Sequence, residues 1–289
     1  AWGKYLKTLG WEVVQLESGV QAFVKKLPLI GSIIKIQRPA HIPLDKIDRL
    51  ARQKRALFVK IEPLTEEAGL VEHKFRKDTW PLLPPKTLLI DLTPKLETLQ
   101  RDLSKDARQA IRKARQTGLE IQIVNLESTE FTQLFGESCQ LLRSIGRARK
   151  FWTPPLASLL NKFQSFGKEA WLATCTWKGQ VLSCAVILVH DTTAFYHHAA
   201  ASSEGRHHHA AYLLLWETIK RARAAGLKTL DLEGIHDPRF PKLTKNWQGF
   251  TVFKRKFGGG EVIYPGSYIR YYLTLPNPLR KLRARTKVR

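Results

Sequence analysis

Apolar and polar residues alternate over short runs through the first ninety positions. WEVVQLESG and QAFVKKLPLIGSIIKIQRPA carry this period, broken at Ser18-Gly19 and around Pro28 to Gly31. The pattern predicts strands joined by turns. Residues 44–55 (LDKIDRLARQKR) change period, with Leu44, Ile47 and Leu50 on one helical side. ALFVKIEP returns to a strand that Pro63 stops, and TLLIDL is a further short apolar strand. Thr93-Pro94 then reads as a hydroxyl cap followed by a first-turn proline. The helix it starts is expected to run to about Thr117 and to end at Gly118.

LEIQIVN predicts a strand, and two helices follow at roughly 129–144 and 154–166, joined by SIGRARKFWTPP. WLATCTWKGQVLSCAVILVHDTTAFYHHAAAS predicts three strands with turns at Lys178-Gly179 and His190-Asp191. AYLLLWETIKRARAAG is an amphipathic helix ending at Gly226. LKTLDLEG, FTVFKRKF and EVIYPGSY complete the pattern as strands. In that reading Lys254 and Lys256 point to one face of a strand, and Arg255 points with Phe253 and Phe257 to the other. The glycines at 258–260 let the chain pass close to a ligand.

Composition adds a strong bias. The 289 residues carry 48 Lys plus Arg against 25 Asp plus Glu, a formal charge of +23. That far exceeds the ~2–8 charges that suffice for solubility and implies polyanionic company. Lys105, Arg108, Arg112 and Arg115 fall at i, i+3, i+7 and i+10, a cationic stripe that reads as a tRNA- or anion-facing surface. The stretch PNPLRKLRARTKVR, with six basic residues in its last ten, suits RNA phosphates or an anionic leaflet. Cys139, Cys175 and Cys184 are odd in number and lack CxxC spacing, which argues for a reducing compartment and against a disulfide framework or zinc site. No apolar run approaches the ~20 residues of a membrane span, and no signal peptide is visible. The expected location is cytoplasmic, with peripheral contact at the inner membrane face. The chain has no methionine and opens at Ala1, which suggests a trimmed start. His197, His198, His207, His208 and His209 cluster in sequence without a supporting metal-ligand pattern, so no metal is expected.

The order strand, two helices, three-strand meander, helix and further strands matches the fold of GCN5-type N-acyltransferases. Three segments carry a closer resemblance: LLIDLTPKLETLQRDLSKDARQAIRKARQTGLEI, AYLLLWETIKRARAAGLKTLDLEGIHDP and WQGFTVFKRKFGGGEVIYPGSYI. In order and spacing they resemble the Fem family of tRNA-dependent aminoacyltransferases, which build the interpeptide bridge of bacterial peptidoglycan. The resemblance covers most of 87–272, and residues 1–86 more loosely. It implies an α+β fold of two GNAT-like domains, each a mixed twisted sheet flanked by helices, with the substrate cleft between them. The expected domains are 1–98 plus about 268–289, and 99–267.

The resemblance further implies an aminoacyl-tRNA donor, a lipid-linked or nucleotide-linked peptidoglycan precursor as acceptor, no cofactor, and a monomer. Its Phe-Lys pair before an FG turn falls on Phe253-Lys254, with Phe257-Gly258 following. Lys254 would steady the developing oxyanion, Phe253 would position it, and Lys256 and Gly258 would face substrate. A fixed cation at that oxygen suits ester aminolysis, which needs neither metal nor covalent intermediate. Arg147 or Arg149, with Lys4 or Lys7, would hold acceptor phosphate, since guanidinium offers forked donors. Glu62, before a proline, would either serve a structural role or orient the attacking amine. Two alternatives stay open: an acyl-CoA-dependent N-acyltransferase, and a non-catalytic RNA- or membrane-surface-binding protein. The place of a CoA pyrophosphate loop is SSEGRHHHAAY, where Gly205 is the only glycine.

Overall fold

The computed structural model describes residues 1–66, 69–149 and 151–272. The basic stretch 276–289 lies outside the described residues. The chain divides into two compact units, one of Leu6–Pro85 with the residues from Tyr264, the other of Ala1–Tyr5 with Lys86–Ile263.

The smaller unit is built on a six-stranded sheet. Its order is Glu12–Glu17, Val20–Leu27, Gly31–Gln37, Ala56–Glu62, Ser267–Tyr271 and Arg76–Asp78. The first three strands form the meander that the alternating pattern predicts. The helix Leu44–Gln53 then crosses over, so Ala56–Glu62 runs parallel to Gly31–Gln37. Ile34 and Ile36 are fully buried and belong to one cluster with Ile47, Leu50 and Ala51 of that helix. Removing such surface from water contributes about 25 cal/mol per Å². Arg270 adds an ion pair to Asp48, at 2.8 Å.

The larger unit carries a seven-stranded sheet in the order Gly260–Ile263, Lys86–Asp91, Thr229–Gly234, Thr193–Ala201, Gln180–His190, Ala170–Trp177 and Glu120–Val124. Lys86–Asp91, assigned by sequence to the first domain, is thus a strand of this sheet. It pairs antiparallel with Thr229–Gly234 and with Gly260–Ile263. Helices cover the sheet. Trp171, Ala173 and Cys175 share a core with the helices Lys105–Gln116 and Ala210–Ala224. The alternate residues Leu172 and Thr174 point the other way, and Cys184 reaches the carbonyl of Ser138 in the helix Phe131–Arg149.

One parallel pair breaks early. Thr193–Ala201 pairs with Thr229–Gly234 only from Thr193 to Phe195, opposite Thr229 to Asp231. Each strand is irregular just beyond that point. The register of the first shifts between Tyr196 and His198, leaving His197 as the extra residue. The second shifts between Asp231 and Gly234, where Glu233 has a left-handed φ of 56°. Two β-bulges therefore lie where the ladder opens, and bulges re-aim side chains.

Three expected elements differ. The helix expected from Thr93 to Thr117 is two helices, Leu96–Asp102 and Lys105–Gln116. Leu103 is extended, and Ser104 caps the second helix by accepting from the amide of Ala107. The amide of Ser104 donates to the carbonyl of Lys256, so a tertiary contact fixes the break. The helix 129–144 is longer, reaching Arg149. FTVFKRKF is not a strand: Gln248–Arg255 is a helix.

Phe163, fully buried, meets the rings of Phe131 and Phe135 at 4.9 and 5.7 Å. Truncation of Phe163 to alanine is expected to destabilise the protein by about 3–5 kcal/mol. Urea unfolding of wild type and variant measures the loss as a lowered midpoint with an unchanged slope.

Candidate active site

Helical geometry changes what Lys254 and its neighbours do. Phe250, Phe253 and Phe257 recur at three- and four-residue steps, the spacing of one helix face. Phe257 is buried in the core, and Phe253 packs edge-on against Tyr212 and Phe257 at 4.9 and 5.3 Å. This aromatic wedge fixes the C-terminal end of the helix. Lys254 is in the last turn, and its Nζ donates to the carbonyl of Gly234 at 2.7 Å, with the ring of Phe250 4.8 Å away. Burial pushes the Lys254 ammonium down to about 8, while the carboxylates of Glu233 and Asp231 pull it back up. A cation is thereby held at one point, beside acids that keep it charged near neutral pH.

Lys256 does not share that face. Two residues on a helix point to nearly opposite sides, and Lys256 pairs with Asp106 at 3.0 Å. The hydrogen bond to Asp106 raises its pKa. Gly258 is equally structural. At φ 78° an added Cβ would sit 3.2 Å from the carbonyl of Asp102. At Gly259 it would sit 2.4 Å from the carbonyl of Leu89. These glycines let the chain cross its own backbone, in place of the ligand approach expected from sequence.

The two bulges supply the rest of the site. Nδ1 of His197 lies 2.7 Å from Oε1 of Glu233, bridging the opened ladder. Lys162, from the helix Leu156–Phe166, reaches Nε2 of His197 at 2.7 Å and Nε2 of His198 at 3.4 Å. Asp231 accepts from the amide of Glu233 at 2.6 Å, and it shares the single hydroxyl hydrogen of Thr87 with the carbonyl of Glu233. Burial, and next the Lys162 charge, hold His197 well below the ordinary imidazole pKa. The same causes, with His197 added, depress His198. Both rings are therefore neutral at pH 7. Lys162, Glu233 and Asp231 went unremarked in the sequence. The signal available was LDLEG, two acids at alternate positions at a strand end before a glycine.

The histidines divide. His208 packs against Trp177 and His209 against Tyr212, apart from the His197–His198 pair. Gly205 lies in a short helix, Ser203–His207, whose Ser202 cap accepts the Gly205 amide at 2.9 Å. A Cβ there would meet the carbonyl of Leu182 at 2.3 Å. That segment packs on a strand and spends this amide internally.

The remaining sequence candidates are carried by separate elements. Arg147 and Arg149 are exposed in the last turn of Phe131–Arg149, and Lys4 and Lys7 are exposed on the helix Trp2–Thr8. Glu62 is buried, and its Oε1 accepts from the amides of Leu82 and Leu83. Burial raises its pKa. Those two bonds make it a loop anchor. Lys105, Arg108, Arg112 and Arg115 do share a groove of about 770 Å³, floored by Trp216. Two of them are tethered, Arg115 to Glu217 at 2.9 Å and Arg108 to the carbonyls of Arg101 and Leu103.

Comparison with known proteins places this geometry. Residues 101–240 match the acetyltransferase (GNAT) domain family. The crystal structure of FemX superposes with a TM-score of 0.77 at 16% identity, covering 97% of this chain and 92% of that one. The chain has a Fem-like GNAT fold. The C-terminal domain of a putative lysylphosphatidylglycerol synthetase from Agrobacterium fabrum follows at 0.66 and 15% identity, covering 98% and 90%. L-PGS from Bacillus licheniformis follows at 0.63 and 14%, covering 97% and 90%. No curated protein matches in sequence. The candidate site lies where the parallel strands Thr193–Ala201 and Thr229–Gly234 part, and a half-buried lysine joins it from the last described helix, Gln248–Arg255. Among the described residues no helix is long and apolar enough to cross a membrane.

Asp231→Asn removes one of the carboxylates that hold the Lys254 charge. The Lys254 titration is expected near 8 in wild type and lower in the variant, read from nitrogen chemical shifts of the side-chain amine against pH.

Proposed function

We propose that this protein is an acyltransferase that moves an amino acid from aminoacyl-tRNA to the stem-peptide amine of a peptidoglycan precursor. The observation that carries the reading is the Lys254 ammonium, fixed against the carbonyl of Gly234 within a Fem-like GNAT fold. When an amine attacks an ester, negative charge gathers on the carbonyl oxygen. A cation already in place needs no reorganisation, and losing one such donor costs roughly 2.7–4 kcal/mol in barrier. Phe253 sets the ammonium by wedging the helix end against Tyr212.

The donor's phosphates suit the groove of Lys105, Arg108, Arg112 and Arg115. Arg108 and Arg115 are oriented by their tethers, and Lys105 and Arg112 project from the same helix face. Arg147, Arg149, Lys4 and Lys7 are candidates for the acceptor's phosphates because they are exposed. The domain limits proposed are those of the two units themselves. The reaction needs no cofactor, and the protein works in the cytoplasm, against the inner membrane face when the acceptor is lipid-linked. The lysylphosphatidylglycerol synthetase likeness makes a phosphatidylglycerol hydroxyl the competing acceptor.

Incubation with charged tRNAs and precursor is expected to add an amino-acid mass to the precursor. A mass increase on phosphatidylglycerol vesicles instead would replace the acceptor. Lys254→Ala is expected to lower kcat by about 10²–10³-fold while tRNA binding stays within twofold. Wild-type turnover should fall as the pH rises through about 8, because an ammonium loses its charge above its pKa. Arg112→Ala should weaken tRNA binding at all sequences and reduce the salt slope by about one.

A further inference from the structure

Lys162 is 3% exposed, and the chemistry above makes no use of it. Its ammonium has three hydrogens and no lone pair, so each polar partner must accept. Nε2 of His197 at 2.7 Å and Nε2 of His198 at 3.4 Å fill that role. The faces of Tyr5 and Trp2 lie 4.9 and 5.9 Å from the nitrogen. Cation–π contact partly offsets the loss of water there. Tyr5 is itself fixed by Ser158, at 2.8 Å.

This environment sets a direction. An ammonium at Nε2 leaves the single hydrogen of neutral His197 on Nδ1. Nδ1 lies 2.7 Å from Oε1 of Glu233, so it donates there. Three side chains from the helix Leu156–Phe166 and two strands thus form one ordered array. The backbone holds its far end as firmly. The amide of Glu233 donates to Asp231 at 2.6 Å, and its carbonyl accepts from Thr87 at 2.9 Å. The left-handed φ of 56° at Glu233 is costly for a side-chain-bearing residue. Strain of that kind concentrates at functional positions. The next residue, Gly234, is the one whose carbonyl holds Lys254. One bulge therefore carries both an acid and the anchor of the cation.

We propose that Glu233 is the base that takes the proton of the attacking amine beside Lys254, and that His197 and Lys162 are positioning residues that orient its carboxylate. The proposal rests on the acyl-transfer reading above. The step balances within the site. The amine nitrogen bonds to the carbonyl carbon, and its surplus proton passes to Glu233. The bond from that carbon to the leaving oxygen breaks, and the oxygen receives the proton from Glu233. Lys254, Lys162 and His197 end as they began. The logic resembles a base–orienter pair with the histidine and acid exchanged. Lys162 contributes by leaving the imidazole no other tautomer.

The test combines kinetics on the full chain with nitrogen NMR of His197. Glu233→Gln is isosteric and is expected to lower kcat by about 100-fold or more, with KM for charged tRNA within twofold. Lys162→Met is expected to lower kcat in the wild-type background and to add nothing in the Glu233→Gln background. The His197 ring should show Nδ1–H in wild type and gain Nε2–H in Lys162→Met, a change that a merely structural lysine would not cause. Thermal unfolding checks that Lys162→Met folds; should it not, Glu233→Gln and the wild-type tautomer carry the test. Turnover within threefold of wild type in Glu233→Gln, independent losses in the double variant, or a wild-type Nε2–H tautomer would each overturn the proposal. Running the same variants with acetyl-CoA separates it from the donor assignment. Product from CoA alone, lost in Glu233→Gln, keeps the base and removes the tRNA donor.

Discussion

The early end of the parallel ladder beyond Phe195 and Asp231 is the constraint on which the site depends. Parallel strands that part leave backbone groups without their usual partners, and buried polar groups need replacements. Here side chains supply them. Thr87 donates to the carbonyl of Glu233, Lys254 donates to that of Gly234, and Asp231 accepts the amide of Glu233. Closing the ladder would satisfy the backbone without these residues and would leave no room for the His197–Glu233 bridge. The chemistry and the local fold are therefore one arrangement.

Placing charge in this opening has a consequence. Lys162 and Lys254 both lose hydration, and burial brings each ammonium down to about 8. Each is drawn back up by Glu233, the acid within reach of both. Burial lowers Lys35 to about 8 as well, whereas other cations are held in ion pairs. Lys256 is tied to Asp106 and the largely covered Lys86 to Glu261 in the same unit. A pair as open to solvent as Lys256–Asp106 contributes little stability. A net charge of +23 thus includes desolvated lysines, Lys35, Lys162 and Lys254, whose protonation is sensitive near neutral pH.

The helix Gln248–Arg255 shows why periodicity alone misplaced the neighbours of Lys254. FTVFKRKF alternates well enough for a strand, yet Phe250, Phe253 and Phe257 also repeat at three and four residues. Short apolar runs are ambiguous in this way. The packing of Phe253 and Phe257 on Tyr212 decides for the helix. The break at Leu103 is a similar case. Ser104 is a good cap, but the bond from its amide to Lys256, 152 residues later, makes it the cap that is used.

The sequence by itself determined the strand meanders, the long amphipathic helices and the GNAT-like order of elements. Those features rest on local periodicity, capping residues and turn glycines, which neighbours in the chain can specify. Only the tertiary structure decided that Lys162, His197 and Glu233 form one array. Lys162 and Glu233 are 71 positions apart, on a helix and a bulged strand that meet through packing. A bulge and a left-handed φ at a non-glycine residue leave no pattern in composition. They exist because the surrounding sheet over-determines the backbone there, which is a property of the assembled unit and not of any short stretch.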